Sequence, residues 1–179
     1  PLTITSSVFP SIIQSKKDNV EKYYRRLQYL YDVMTTIAIS IALPMTFLSD
    51  FVILILFGSE YNQAGTVLAI HIWAGVFVFL GVVRSRWIIN ENYQLYGMIF
   101  TISGAVANIA MNIWLIPIYG IMGAAWATLI SQALSAWFIA VFFDKTRLAF
   151  KMHLKAIFNV LLIYPAIKSF TKVLKESSN

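Results

Sequence analysis

A small set of polar side chains stands inside or at the edge of long apolar runs, and each type points to a chemistry. Arg84 and Arg86 close one such run. Guanidinium groups bind phosphate and carboxylate through paired hydrogen bonds, so the two could capture an anionic ligand. Their other fate is anchoring, with aliphatic stems along apolar surface and charged heads in interfacial water. Asn108 and Asn112 lie four apart and share a helical face. With Gln132, they could bind hydroxyl-rich groups or cross-link helices. His71 and Asp50 are candidates for ion coupling, since an ionisable group in a membrane is a functional hypothesis by default. Asp32 and Glu60 offer further carboxylates of the same kind.

Other chemistries are absent. The chain has no cysteine, which excludes disulfides, thiolate metal sites and cysteine nucleophiles. Acid–base catalysis wants a histidine or carboxylate beside a nucleophile. His71 and His153 are far apart in sequence, and no carboxylate pair or metal-ligand spacing occurs. No catalytic residue, metal or cofactor is assigned, and the expectation is a non-enzyme.

The elements that must position these groups are membrane helices. Of 179 residues, 59% are hydrophobic and 12% charged. A soluble domain carries about 25% charged residues. The apolar residues come in runs of about 20 or more, enough to cross a bilayer as a helix. Residues 1–14 are too short to span and resemble the exit of a truncated helix. A basic loop at 15–26 follows, its second half expected to form the first turns of the next helix. The run 27–57 would reach roughly 45 Å at 1.5 Å per residue, so a kink is expected at Pro44 and an interfacial continuation from Phe51. Further spans are expected at 64–87, 95–116 and 121–143. These make four spans within 27–143. Residues 154–171 form a short final span or interfacial helix, with Pro165 and Lys168 in it, and 172–179 a tail.

Charge orients the bundle. Lys and Arg number five in 15–26, two in 84–93 and four in 144–155, and none in 58–63 or 117–120. By the positive-inside rule the three basic loops are cytoplasmic. The net charge of +6 then reflects topology and anionic lipid, not nucleic acid. Trp87 and Tyr119 fall at span ends, where aromatic belts form. Trp73, Trp126 and Trp137 fall inside spans.

The stretch 104–128 is a helix end, a tight turn and a helix start. Pro117 and Gly120 punctuate the turn. Gly123, Ala127, Ser131 and Ser135 recur every four residues, a small-residue stripe that lets helix backbones approach closely in lipid. Asn108 and Asn112, then Ile116-Pro117, Tyr119-Gly120 and Gly123-Ala124-Ala125 with Ala127 and Thr128, closely resemble a signature of bacterial polysaccharide repeat-unit flippases. These are the Wzx-type O-antigen transporters of the multidrug/oligosaccharidyl-lipid/polysaccharide exporter superfamily. Leu56-Phe57-Gly58 with Tyr61 and Ala64, and Phe9-Pro10 before a basic loop, fit the same pattern. The matches spread from residue 1 to about 135 in the family's order.

The resemblance implies an all-α fold of two six-helix bundles, as in MATE-like transporters, with this chain the C-terminal lobe and the N-terminal lobe missing. It implies translocation of undecaprenyl-pyrophosphate-linked oligosaccharide, such as O-antigen units for lipopolysaccharide, across the bacterial inner membrane by alternating access. Its partners would be that lipid-linked oligosaccharide, membrane lipid, the missing lobe, and a polysaccharide polymerase with its chain-length regulator. Arg84, Arg86, Asn108, Asn112 and Gln132 are the substrate-binding candidates. One departure stands out: no Lys or Arg lies deep in a span, although such a flippase is expected to have a cationic cavity. The rival readings are a multidrug/cation antiporter of the same fold and a membrane-bound sugar-lipid enzyme. A single lobe that cannot transport alone is a further expectation.

Overall fold

The computed structural model describes residues 1–162. The expected tail at 172–179, and the part of 154–171 beyond residue 162, lie outside them. The fold is an all-α membrane bundle. Its helices are α1 (Leu2–Asp18), α2 (Val20–Phe57), α3 (Asn62–Asn90), α4 (Gln94–Tyr119), α5 (Ile121–Ala136) and α6 (Arg147–Leu161). Short 3₁₀ turns lie at Ser59–Tyr61 and Phe138–Phe142. Four segments are long and apolar enough to cross a membrane: Val20–Phe57, Gln63–Asn90, Gln94–Tyr119 and Ile121–Phe142.

Local chemistry sets the breaks between helices. The Asn19 side chain accepts from the backbone N–H groups of Glu21 and Lys22 at 2.7 and 3.2 Å, capping α2. The basic segment 15–26 is helical on both sides of Asn19: its second half opens α2, as the sequence indicates, and its first half extends α1. Gly58, at φ 83°, ends α2, and Gly120, at φ 58°, joins α4 to α5. Glycine adopts that left-handed backbone at little steric cost. The third positive φ is 59° at Asn92, which turns α3 into α4, so most of the segment 84–93 is also helix. Pro44 removes one backbone donor but α2 continues through it. At 38 residues and 1.5 Å per residue, α2 reaches about 57 Å, well beyond a hydrocarbon core of about 30 Å.

Two helical hairpins build the bundle. In the first, α2 and α3 pack along their length, closing at Gly65, where an added Cβ would lie 2.8 Å from the Asp50 Cα. Trp73 Nε1 donates to Thr46 Oγ1 at 3.0 Å farther along. In the second, α4 and α5 meet through the small-residue stripe. A Cβ on Gly104 would lie 2.6 Å from the Ser135 Cβ, and one on Gly123 would enter the Leu115 backbone carbonyl. The hairpins join where α3 meets α5. The opposite face of α4 carries Ile102, Val106, Ile109 and Ile113, all exposed. That spacing of three and four makes one apolar stripe suited to lipid.

The core gathers around Tyr23, Leu27, Tyr31, Met34, Leu80, Val83, Trp87 and Phe100. A polar knot ties three helices at one end. Lys16 of α1 contacts Glu91 at 2.7 Å, and Tyr23 Oη of α2 donates to the same carboxylate at 2.9 Å.

A second polar knot docks α6. The Asp32 carboxylate accepts from Gln28 Nε2 at 2.8 Å and from Asn159 Nδ2 at 3.0 Å, and Gln28 also donates to the Met152 carbonyl at 3.1 Å. Asp32 is buried, so its removal costs the buried Gln28 amide one of its two acceptors and the half-buried Asn159 amide its carboxylate partner. Hydrogen bonds to a charged group contribute about 1.5–3 kcal/mol each. Asp32→Ala is expected to cost about 3 kcal/mol and to free α6. Thermal unfolding in detergent, together with proteolysis within 147–161, reads both effects.

Candidate anion-binding groove

A groove of about 430 Å³ runs between α1, α3 and α5. Its walls are apolar where Leu2, Phe77, Val78 and Val82 line it, and polar where Arg84, Ser85, Arg86, Gln132 and Ser135 do. Helical periodicity explains the mixture. Phe77, Gly81, Arg84 and Ser85 follow one face of α3, while Gln132, Ser135 and Ala136 follow one face of α5. Gly81 faces Ala136, where an added Cβ would sit 3.6 Å from the alanine methyl.

Arg84 is the focal charge. Its residue is 6% exposed. Nη1 donates to the Ser135 carbonyl, and the guanidinium lies 4.5 Å from the centre of the Phe100 ring. The first contact has a clear cause. Helix α5 stops at Trp137, so its last carbonyls lack intrahelical donors, and a cation there also complements the helix dipole. Arg84 nevertheless has no carboxylate partner among the described residues, and its Nε is buried with no partner there. A buried cation without a counter-charge is costly, and an anion in the groove would supply one. Arg86 sits nearer the edge, with Nη2 donating to Ser6 Oγ of α1 at 3.0 Å.

Three of the five substrate-binding candidates thus share this groove: Arg84, Arg86 and Gln132. The other two lie on the α4–α5 seam. Asn108 Nδ2 donates to Ser131 Oγ at 3.1 Å, and Asn112 Nδ2 donates to Asn108 Oδ1 at 3.0 Å. His71 and Asp50 are exposed and do not line the groove. Among the described residues, no three His, Cys, Asp or Glu side chains come close enough to hold a metal.

Sequence reasoning passed over a buried pair behind Arg84. Tyr31 and His153 are both fully buried and meet edge to face, with ring centres 4.8 Å apart. A signal was available for His153. Ala149, Met152, His153 and Ala156 are buried at offsets of three, four and seven, the pattern of a core-facing helical stripe. His153 lies outside the four membrane-spanning segments. Burial pushes it well below the ordinary histidine range, and the Arg84 charge pushes in the same direction.

Among curated proteins, the chain is similar to the probable low-salt glycan biosynthesis flippase Agl15 of Haloferax volcanii. The two are 27% identical over 136 residues, which cover 74% of this chain and 28% of that protein. The chain thus matches less than a third of that relative's length. No family model matches the sequence, and no solved structure matches it.

Proposed function

We propose that this chain belongs to a membrane transporter that flips lipid-linked oligosaccharide from one leaflet to the other. The observation that carries the reading is Arg84, a buried cation without a carboxylate partner among the described residues, on the wall of a half-apolar, half-polar groove. A lipid diphosphate bearing sugars has matching parts. Its phosphates meet Arg84 and Arg86 through paired charge-assisted hydrogen bonds. Gln132 and Ser135 offer donors and acceptors to sugar hydroxyls. The isoprenoid lies along Phe77, Val78 and Val82. The name of the similar archaeal protein, a glycan biosynthesis flippase, supports the same class of cargo.

The finer reading follows the family resemblance. The cargo is an undecaprenyl-pyrophosphate-linked repeat unit, such as O-antigen, and the membrane is the bacterial inner membrane with the basic segments cytoplasmic. Four spans within 27–143 form most of one MATE-like lobe. A second, N-terminal lobe completes the transporter, and the two rock around the bound headgroup. Asn108 and Asn112 serve this reading as the brace of the α4–α5 hairpin. Polymerase and chain-length regulator act on the delivered unit.

Complementation tests the proposal. In a bacterium lacking its repeat-unit flippase, the chain is supplied alone and with a matching N-terminal lobe, and surface polysaccharide is read. Restoration only when both are present is the expected result. Failure of both, with protein in the membrane and sugar specificity matched, would count against the flippase and bring a cation antiporter forward.

A further inference from the structure

Behind the groove, Tyr31 and His153 meet in the apolar core, within reach of the Arg84 charge. Tyr31 Oη of α2, Arg84 Nε of α3, and both ring nitrogens of His153 of α6 are buried and make no hydrogen bond among the described residues. Tyr31 and His153 are fully buried and share an edge-to-face contact. Arg84 alone connects this cluster to the groove, since its side chain lines the wall. A histidine kept for packing would be replaceable by an apolar ring at no loss of hydrogen bonding. One kept for helix cross-linking would have a partner, as Asn108 does.

We propose that His153 is a proton site coupled to the groove, so that a diphosphate headgroup at Arg84 and a proton at His153 bind cooperatively. This rests on the anion-binding reading of the groove. With the groove empty, the nearby Arg84 charge opposes a second positive charge on the imidazole. Two phosphate charges at Arg84 reverse the sign of that field, and a proton from water then settles on one ring nitrogen. Other titratable groups near His153 among the described residues lie on α2 and α6. From α2 come the Tyr31 phenol and the Asp32 carboxylate, the latter already held by Gln28 and Asn159. The turn Phe138–Phe142, also packed on α6, brings no titratable side chain. Lys151 and Lys155 of α6 itself point outward.

The sign follows from linkage. A group that gains a proton on binding makes binding tighter as pH falls, and the two effects are equal by reciprocity. Between the free-state and bound-state midpoints of His153, each unit by which pH falls tightens binding about tenfold. The probe is a short prenyl diphosphate carrying one sugar, whose two phosphodiester charges do not titrate between pH 5 and 8. Binding to the full chain in nanodiscs is measured across that range.

Wild type is expected to bind several-fold tighter at pH 5 than at pH 8. His153→Asn is expected to match wild type at pH 8 and to lose the pH dependence. A pH-dependent gain that survives in His153→Asn, or a flat wild-type profile, overturns the coupling while leaving the groove intact. Absence of wild-type binding at every pH overturns the groove reading and this inference together. Should His153→Asn not fold, histidine ring NMR of the wild type decides, with His71→Gln assigning the two signals. The His153 midpoint must rise on saturation with the probe, and an unchanged midpoint refutes the proposal.

Discussion

Arg84→Met is expected to weaken binding of a prenyl-diphosphate sugar roughly 30- to 100-fold, while stability without ligand stays within about 1 kcal/mol of wild type. The binding loss follows from charge-assisted hydrogen bonds of about 1.5–3 kcal/mol to phosphate that methionine cannot make. The stability result follows from two opposed effects. Methionine fills much of the same space and removes an uncompensated buried charge, which stabilises. It also frees the Ser135 carbonyl and abandons the Phe100 face, which destabilises. Arg84→Lys is expected to recover only part of the affinity, because an ammonium lacks the planar fork. Titration in nanodiscs and thermal unfolding in detergent read the two quantities separately. Equal loss of both would make Arg84 a helix-capping residue and nothing more.

Gly123→Val is expected to abolish assembly of the α4–α5 hairpin. A Cβ at Gly123 enters the Leu115 carbonyl, which is backbone and cannot rotate away. Overpacking of well-packed sites costs about 1–3 kcal/mol even where side chains can yield. Here the helices must separate, and the Asn108–Ser131 bridge and the Gly104–Ser135 contact go with them. Gly75→Ala is the control, with nothing within 4 Å of its added Cβ. Monodisperse yield and melting temperature are expected to fall sharply for Gly123→Val and to hold for Gly75→Ala. Normal yield from Gly123→Val would mean that the close approach is not what joins these helices.

Much of the fold was legible because membrane physics leaves few choices. Apolar runs of about 20 residues must be helices, since lipid offers backbone groups no partner. The stripe of Gly123, Ala127, Ser131 and Ser135 announced a close helix contact, and three of its four residues make close approaches in the α4–α5 seam. The limits of polar loops were less legible. Charged residues in 15–26 and 84–93 extend helices past the apolar run, because water tolerates a helix whose packing continues. Only Asn19 and Asn92, through a cap and a left-handed turn, mark the breaks.

The candidate site was legible in part for a related reason. Arg84 and Arg86 were visible because charge at the end of an apolar run is conspicuous, and Gln132 because amides are rare there. Their meeting was not visible. It depends on how α3 crosses α5, which side-chain spacing within one helix does not encode. His153 was hidden by its neighbours, since a basic, polar surround reads as surface until its register with Ala149, Met152 and Ala156 is seen.

The measurement that tests the central claim most directly is headgroup discrimination by the purified full chain in nanodiscs. A fluorescent prenyl-diphosphate sugar is bound, then competed with the unlabelled prenyl diphosphate and with the prenyl alcohol of equal length. Saturable binding that the diphosphate displaces, and that the alcohol leaves in place, is predicted. Equal displacement by the alcohol would show that the groove takes lipid without reading phosphate, which contradicts the account.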